Sequence, residues 1–254
     1  IIESYIHRGW LSAFDSAEAL AEHVGGEPIF NKFACIVKQR MDGSTKRRII
    51  MDSKRSSVTA VSRKMYKAIL PRATDLVTDV LSLKSEASPS DGIDLLVLDA
   101  EDAFWQVPLH KDEMRYYCSL LRYPSGRVRY LSYNRTAQGS RGAPLAWSVM
   151  FGLICRCALG TLYTPGRSTS QYMQVYVDDP ILAIRGPPAA RRRQAATVML
   201  AWAVLGISLA VRKGQLSETA NWIGHTFAVT SDGITATILA DRLVEERAEL
   251  APVP

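Results

Sequence analysis

Two short apolar segments that each end in aspartate constrain this chain more than any other feature of its sequence. Ile93 to Leu98 is followed by Asp99, and Tyr172 to Val177 is followed by Asp178 and Asp179. A short apolar run bounded by turn signals is typical of a strand buried on both faces. The pattern therefore predicts a buried strand at Ile93 to Leu98 and a second strand at Tyr172 to Val177, which deliver three acidic side chains to their ends.

The adjacent pair Asp178 and Asp179 is by itself a weak sign of function, because Asp before Pro180 is ordinary turn chemistry. Asp99 strengthens it, since like charges gathered from two strands repel unless cations lie between them. Carboxylate oxygens suit Mg²⁺, a hard ion that also grips substrate phosphates. Sequence alone does not show that Asp99 meets the pair in space, so this metal site is an expectation.

The composition describes a globular, basic protein. Its 254 residues are 47% hydrophobic and 22% charged, enough to bury a core as one large domain or two small ones. The net charge of +6 suits a polyanionic partner without proving one. Four cysteines without paired spacing indicate neither a zinc site nor a disulfide framework, so we expect a reduced, intracellular protein. Arg156 and Gly206 interrupt the two longest apolar stretches, so we expect no membrane segment.

Helix and strand patterns alternate along the chain. Helices are predicted over 15–23, 71–84, 143–162, 189–205 and 242–250, and the other strands over 33–40, 46–52, 116–123, 128–133, 181–184, 222–229 and 234–238. Asp42 and Gly43 favour a tight turn that makes the first two of these strands a basic hairpin. The order predicts an α+β fold around a mainly antiparallel sheet packed on helices.

The motifs around the acids resemble those of reverse transcriptases. YVDD at Tyr176 to Asp179 is similar to the metal-binding turn of that family, and LDAEDAFWQVPL at Leu98 to Leu109 is similar to its first palm motif. The resemblance implies that the three acids hold two Mg²⁺ ions, with Mn²⁺ as the alternative. It also implies that Ala100 and Phe104 border the incoming nucleotide, with Phe104 under the sugar.

Four further motifs occur in the order that the family shows. These are RRIIMDSKR at 47–55, QGSRGAP at 138–144, LGISLAVRKGQ at 205–215 and WIGHTF at 222–227. By resemblance the first three supply the remaining nucleotide contacts: Arg48, with Lys38 or Arg40 across the hairpin, then Gln138, Gly139 and Lys213. The last resembles the primer grip, which adds Trp222, Ile223, Gly224 and His225 to Tyr176 as primer-binding residues.

The resemblance implies a right-hand polymerase that adds deoxynucleotides to a primer on an RNA or DNA template. We expect fingers at 1–90, a palm at 91–235 and the start of a thumb or connector at 236–254. The chain opens at Ile1 and few residues follow Val229, so we expect part of a larger polyprotein, with RNase H left open. Two alternatives are a non-catalytic retroelement remnant that binds nucleic acid and, favoured less, an RNA-dependent RNA polymerase. The latter family usually has Gly before the Asp pair and a small residue at the place of Phe104.

Overall fold

The computed structural model describes residues 1–39, 43–63, 66–166, 168–240 and 242–244. Its helices are α1 (Ile2–His7), α2 (Ala17–Val24), α3 (Val58–Val61), α4 (Ala73–Ser85), α5 (Lys111–Met114), α6 (Ala143–Gly160) and α7 (Pro188–Val204), with 3-10 turns η1 (Ala103–Gln106) and η2 (Val211–Lys213). Its strands are β1 (Leu11–Phe14), β2 (Phe30–Gln39), β3 (Thr45–Asp52), β4 (Gly92–Val97), β5 (Cys118–Arg122), β6 (Val128–Tyr133), β7 (Gln171–Tyr176), β8 (Asp179–Gly186), β9 (Gln215–Ser217), β10 (Thr219–Trp222), β11 (His225–Val229) and β12 (Ile234–Ile238).

The chain forms two compact units, each made of two separate segments. The first unit comprises 1–67 and 102–147, and the second comprises 68–101 and 148–254. The first contains a five-stranded sheet in the order β1-β6-β5-β2-β3, in which only the β2–β5 pair is parallel. The second contains the antiparallel sheets β7-β8-β4-β9 and β10-β11-β12. Mixed helices and mainly antiparallel sheets agree with the predicted class.

The four-stranded sheet of the second unit is covered by helices. The helix α4 buries Leu76, Val80 and Leu83, whose i, i+4, i+7 spacing puts them on one face, against alternate residues of β4 and β8. The helix α7 contacts β8 and β4. Alternate residues such as Leu96 and Leu182 are also buried. Because residues on both faces of β4 and β8 are buried, these two strands are continuously apolar rather than alternating.

A largely buried ion pair ties α7 to β4. The Nε of Arg191 lies 2.9 Å from a carboxylate oxygen of Asp94. The guanidinium runs over Gly92, where an added Cβ would lie 1.7 Å from its Nη1. Gly92 therefore leaves room for the guanidinium to reach Asp94.

Most predicted elements are confirmed within a few residues, and one is wrong. Residues 222–229 form a hairpin, with β10 and β11 joined at Ile223 and Gly224, both of which have positive φ. The helix predicted from 15 begins at Ala17, because the Ser16 hydroxyl caps it by accepting from the Ala19 N–H. Part of the predicted helix at 242–250, and Asp42 in the predicted turn, lie outside the described residues.

Within the described residues, one helix is long and apolar enough to cross a membrane, the helix α6. Trp147, Phe151, Cys155 and Ala158 are buried along it at helical spacing. A single helix of this kind is a weak indication of a membrane span, because the core helix of a soluble protein can have the same length and apolar composition.

Candidate active site

Hydrogen bonds between neighbouring strands hold Asp99 beside the Asp178–Asp179 pair. The strands β4 and β8 are antiparallel neighbours, with Val97 opposite Ile181. Beyond them, the Leu98 N–H donates to the Pro180 carbonyl at 3.3 Å, and the Ala100 N–H donates to the Asp178 carbonyl at 2.9 Å. The backbone of Asp99 is thus fixed on both sides to the segment that contains the other two acids.

The turn between β7 and β8 sets the positions of the acid pair. Tyr176 pairs with Asp179, so only Val177 and Asp178 form the connection. Val177 has φ 56, a left-handed conformation that is unfavourable for a β-branched residue by roughly 1–3 kcal/mol. The turn therefore places Asp178 at its tip and Asp179 at the first position of β8, and it does so under backbone strain.

The three acids share one electrostatic environment. The pKa of Asp179 is raised to about 6, first by burial and then by the charges of Asp178 and Asp99, with Lys213 acting in the opposite direction. The Nζ of Lys213, at the end of η2, donates to a carboxylate oxygen of Asp99 at 2.9 Å. A cluster of carboxylates that repel one another, one of which binds an ammonium, is a site that stabilises positive charge.

The donor chemistry of this cluster fits hard divalent cations, because all three side chains offer carboxylate oxygens. The side chains as they stand do not form a ready-made cage: across the ranges that the structure describes, no three His, Cys, Asp or Glu side chains are arranged to hold a metal ion. One of the three acids, Asp99, forms an ion pair with the Lys213 ammonium. The chemistry therefore fits the expected ions, while the geometry lacks a preformed three-ligand site.

Trp222, predicted to contact the primer, is buried at 3% exposure. Its indole N–H donates to the Asp179 carbonyl at 2.9 Å. In this structure its side chain is therefore a support for the acid turn, a role that the sequence analysis missed. A buried indole usually finds a hydrogen-bond acceptor, and this general rule was the available signal. The neighbouring Ile223, Gly224 and His225 are half-buried.

Tyr176 is 36% exposed at the end of β7, beside the acid turn. The Nδ1 of His225 lies 3.1 Å from the Ile223 carbonyl across the turn between β10 and β11. The Leu239 N–H donates to the Gly224 carbonyl at 3.1 Å and so ties this turn to the chain after β12. Tyr176 and the turn both belong to the second unit.

The predicted phosphate contacts lie on the hairpin of the first unit. Arg48 is exposed and pairs with Ile36, while Lys38 is exposed and pairs with Lys46. Alternation along β3 puts Arg48 on the same face as Ile50 and opposite to the buried Ile49. Arg40 lies outside the described residues.

The Gln138–Gly139 segment lies along the edge of β3, next to Met51 and Ile50. The Met51 N–H donates to the Gln138 carbonyl at 2.8 Å. Gly139 has φ 95, and an added Cβ there would lie 2.2 Å from the Met51 carbonyl oxygen and 2.7 Å from Ile50 Cγ2. Only glycine permits this approach, which brings the segment beside the face that carries Arg48.

Of the two adjacent aromatics, Trp105 rather than Phe104 belongs to the core. Trp105 is 2% exposed and packs in the first unit, whereas Phe104 on η1 is only half-buried. The Thr136 hydroxyl donates to the Phe104 carbonyl. The backbone of Phe104 is therefore fixed by a hydrogen bond, while its side chain is not fully buried in the core.

The predicted site residues fall into two groups. The second unit brings together Asp99, Asp178, Asp179 and Lys213, with the buried Ala100 next in sequence. The first unit contains Arg48, Lys38, Gln138, Gly139 and Phe104.

Comparison with known families agrees with the motifs. The family model described as "Reverse transcriptase (RNA-dependent DNA polymerase)" matches residues 43–227, well over half of the chain. A search of curated protein sequences gave no match. The family implies a polymerase palm and fingers fold, a nucleic acid template with primer, deoxynucleotides and divalent metal ions. The chain belongs to the reverse transcriptase (RNA-dependent DNA polymerase) family.

Proposed function

We propose that this chain catalyses RNA-directed DNA synthesis, adding deoxynucleotides to a primer 3′ hydroxyl on an RNA or DNA template. The observation that carries the proposal is the backbone hydrogen bonding that holds Asp99 beside the Asp178–Asp179 turn, where the charges of Asp99 and Asp178 act on Asp179. Three carboxylates held in one electrostatic environment are poorly suited to a purely structural role, because their repulsion destabilises the fold.

The acids would hold two Mg²⁺ ions, or Mn²⁺ as the alternative. The chemistry supplied by such a pair is activation of the primer hydroxyl and stabilisation of the departing pyrophosphate in an in-line displacement. The strained Val177 turn and the Trp222 hydrogen bond fix the backbone of Asp178 and Asp179. Lys213 would add positive charge for the triphosphate.

The nucleotide would be held mainly by the first unit. Arg48 lies on the same face of β3 as Ile50, whose side chain Gly139 approaches, and this supports a common ligand for Arg48 and the Gln138–Gly139 segment. Arg suits phosphate because its planar fork donates two hydrogen bonds at once. Phe104 would pack under the sugar and exclude a 2′ hydroxyl by repulsion. Lys38 and Arg40 remain proposed phosphate contacts.

The right-hand arrangement is part of the proposal, with fingers at 1–90, a palm at 91–235 and the start of a thumb at 236–254. Tyr176 and the turn Ile223–His225 would contact the primer. We also propose that the chain works within a larger polyprotein in an intracellular setting. The compact units differ from this linear division, because 102–147 packs with the N-terminal residues.

Primer extension tests the proposal directly. The chain is incubated with a primed RNA or DNA template, deoxynucleotides and Mg²⁺, and Asp178→Asn serves as the control, since it removes a charge without changing shape. We expect extension by the natural chain and its near abolition in Asp178→Asn, with an unchanged melting temperature. A folded chain that binds the primed template without extending it would favour the non-catalytic remnant. Preferential use of ribonucleotides would favour RNA synthesis.

A further inference from the structure

The residue next to Phe104 is held in an aromatic stack. Trp105 lies between Trp10 and Tyr133, with ring centroids at 5.3 and 5.8 Å and planes within 11° and 14° of parallel. Tyr5 closes the cluster at 4.8 Å from Trp105. Aromatic pairs of this kind stabilise the fold beyond the effect of the area that they bury. Trp10, Trp105 and Tyr133 together form the Trp105 stack.

Hydrogen bonds join the N-terminal segment to the chain on the far side of Phe104. The Asn134 N–H donates to the Trp10 carbonyl at 2.9 Å, and its side-chain amide donates to the Gly9 carbonyl at 3.0 Å. The Asn134 carbonyl accepts from the Leu109 N–H at 3.1 Å. Gly9 and Trp10 are thus connected through one residue to the strand-like segment that follows η1.

A third link reaches Asp102, the residue that precedes η1. Asp102 has φ 50, and its carbonyl accepts from the Trp105 N–H at 2.7 Å. Its carboxylate accepts from an Arg8 guanidinium nitrogen at 3.0 Å, and the same guanidinium lies 4.7 Å above the Trp10 ring. This pair is exposed and contributes little stability by itself, but it adds a geometric restraint on the turn that carries Phe104.

We propose that Trp10 is a positioning residue which, through the Trp105 stack, fixes the position of Phe104 and so determines how strictly the site selects deoxyribose. The inference rests on the proposed function, because it assumes that Phe104 borders the sugar. Exclusion by contact is steep: a shift of 0.5–1 Å changes a van der Waals interaction by roughly a quarter to a half of its depth. Loosening the stack would therefore relax selection before it affects the metal ligands.

The test compares Trp10→Ala with Leu20→Ala. Leu20 is fully buried in the first unit, in a separate cluster with Val24 and Cys118, so its truncation destabilises the same unit without touching the Trp105 stack. We expect Trp10→Ala to lower the deoxy-to-ribo ratio of kcat/KM by roughly threefold or more, by the steep distance dependence of contact. We expect Leu20→Ala to leave that ratio unchanged and Trp10→Phe to restore it. Equal ratios in all variants would overturn the inference.

A second readout does not depend on activity. The six Phe residues are replaced biosynthetically by 4-fluorophenylalanine, and the ¹⁹F signal of Phe104 is assigned by its loss in Phe104→Leu. We expect this signal to shift or broaden in Trp10→Ala, or in the bulkier Trp10→Leu if the alanine variant does not fold, but not in Leu20→Ala. An unmoved signal overturns the positioning role whatever the activity. Absence of extension by the natural chain, or a sugar ratio unaffected by Phe104→Val, would instead contradict the proposed function.

Discussion

The indole N–H of Trp222 donates a hydrogen bond of 2.9 Å to the carbonyl oxygen of Asp179. Trp222 lies at the end of β10 and Asp179 at the start of β8, so this bond joins two different sheets of the second unit. Trp222, which lies in a segment that resembles the primer grip, therefore supports the turn that contains Asp178 and Asp179.

We expect Trp222→Phe to reduce primer extension far more than stability. The substitution keeps most of the apolar volume but removes the donor, so the free energy of unfolding should fall by about 1 kcal/mol. Extension should fall by roughly tenfold or more, because small misplacements of reacting groups reduce rates steeply. Val80→Ala, which removes volume from the same core without touching Asp179, is the matched control. Parallel losses in both variants would show that Trp222 only packs.

Lys213 should oppose metal binding in the absence of nucleotide. Its ammonium lies 2.9 Å from an Asp99 oxygen, so it competes for that oxygen and repels a cation. Lys213→Met should strengthen Mn²⁺ binding by roughly threefold or more, as measured by electron paramagnetic resonance at low ionic strength. Arg212→Met removes an exposed charge from the neighbouring position and should change the affinity less. Weaker Mn²⁺ binding in Lys213→Met would contradict this reading of the pair.

Arg48 and Arg47 provide a matched pair on one strand. Both are exposed, but alternation directs them to opposite faces of β3, and only Arg48 shares the face beside Gly139. Arg48→Ala should raise the KM for deoxynucleotides by roughly tenfold, as for loss of a charge-assisted contact, with little change in melting temperature. Arg47→Ala should have a much smaller effect. Steady-state extension kinetics measure the KM of both variants. An equal rise in KM for Arg48→Ala and Arg47→Ala would indicate that Arg48 contributes only general electrostatic attraction.

Phe104 should govern the choice of sugar. Phe104→Val opens space for a 2′ hydroxyl, so the deoxy-to-ribo ratio of kcat/KM should fall by more than about tenfold. Truncation of a core Phe instead typically destabilises by about 3–5 kcal/mol and would lower both activities together. Melting curves measured beside the two activities separate these cases. The half-buried position of Phe104 favours the first outcome.

Gly92 and Arg191 should be energetically coupled. A Cβ at Gly92 would overlap the Arg191 guanidinium, so Gly92→Ala should displace it and leave the buried Asp94 unpaired. We expect a loss of roughly 1–3 kcal/mol in the free energy of unfolding, as for a buried polar group without its partner. In an Arg191→Ala background the same substitution should have a much smaller effect. A double-mutant cycle by urea denaturation measures this coupling, and additive losses would mean that the overlap is relieved elsewhere.

The elements that follow from local pattern were predictable. The strand β4 was found because a continuous apolar run predicts a buried strand, and the β2–β3 pair because two strand-like runs flank Asp42 and Gly43 in the sequence. The turn at Ile223–Gly224 was missed, because Ile is disfavoured at positive φ and only tertiary contacts stabilise it there. The N-terminal α1 and β1 were missed because their partners, such as β6, are more than 100 residues away.

The acids of the candidate site were predictable as residues, but not as a geometry. Their spacing at strand ends identified Asp99, Asp178 and Asp179, while the Lys213 ion pair depends on contacts between distant segments. The Trp222 hydrogen bond and the Trp105 stack likewise join residues from separate parts of the chain. The periodicity of apolar residues in a sequence indicates which side chains are buried, but it does not identify the distant residues that they contact.

The division of each compact unit into two chain segments has a consequence for synthesis on the ribosome. The first unit cannot close until residues 102–147 have been translated, and β4 waits for its partner β8 at Asp179–Gly186. Such long-range pairing slows folding, and an unpaired apolar strand is prone to aggregate in the meantime. Nascent chains of this protein should therefore depend on holding chaperones until most of their length has emerged, and fragments released early should be insoluble.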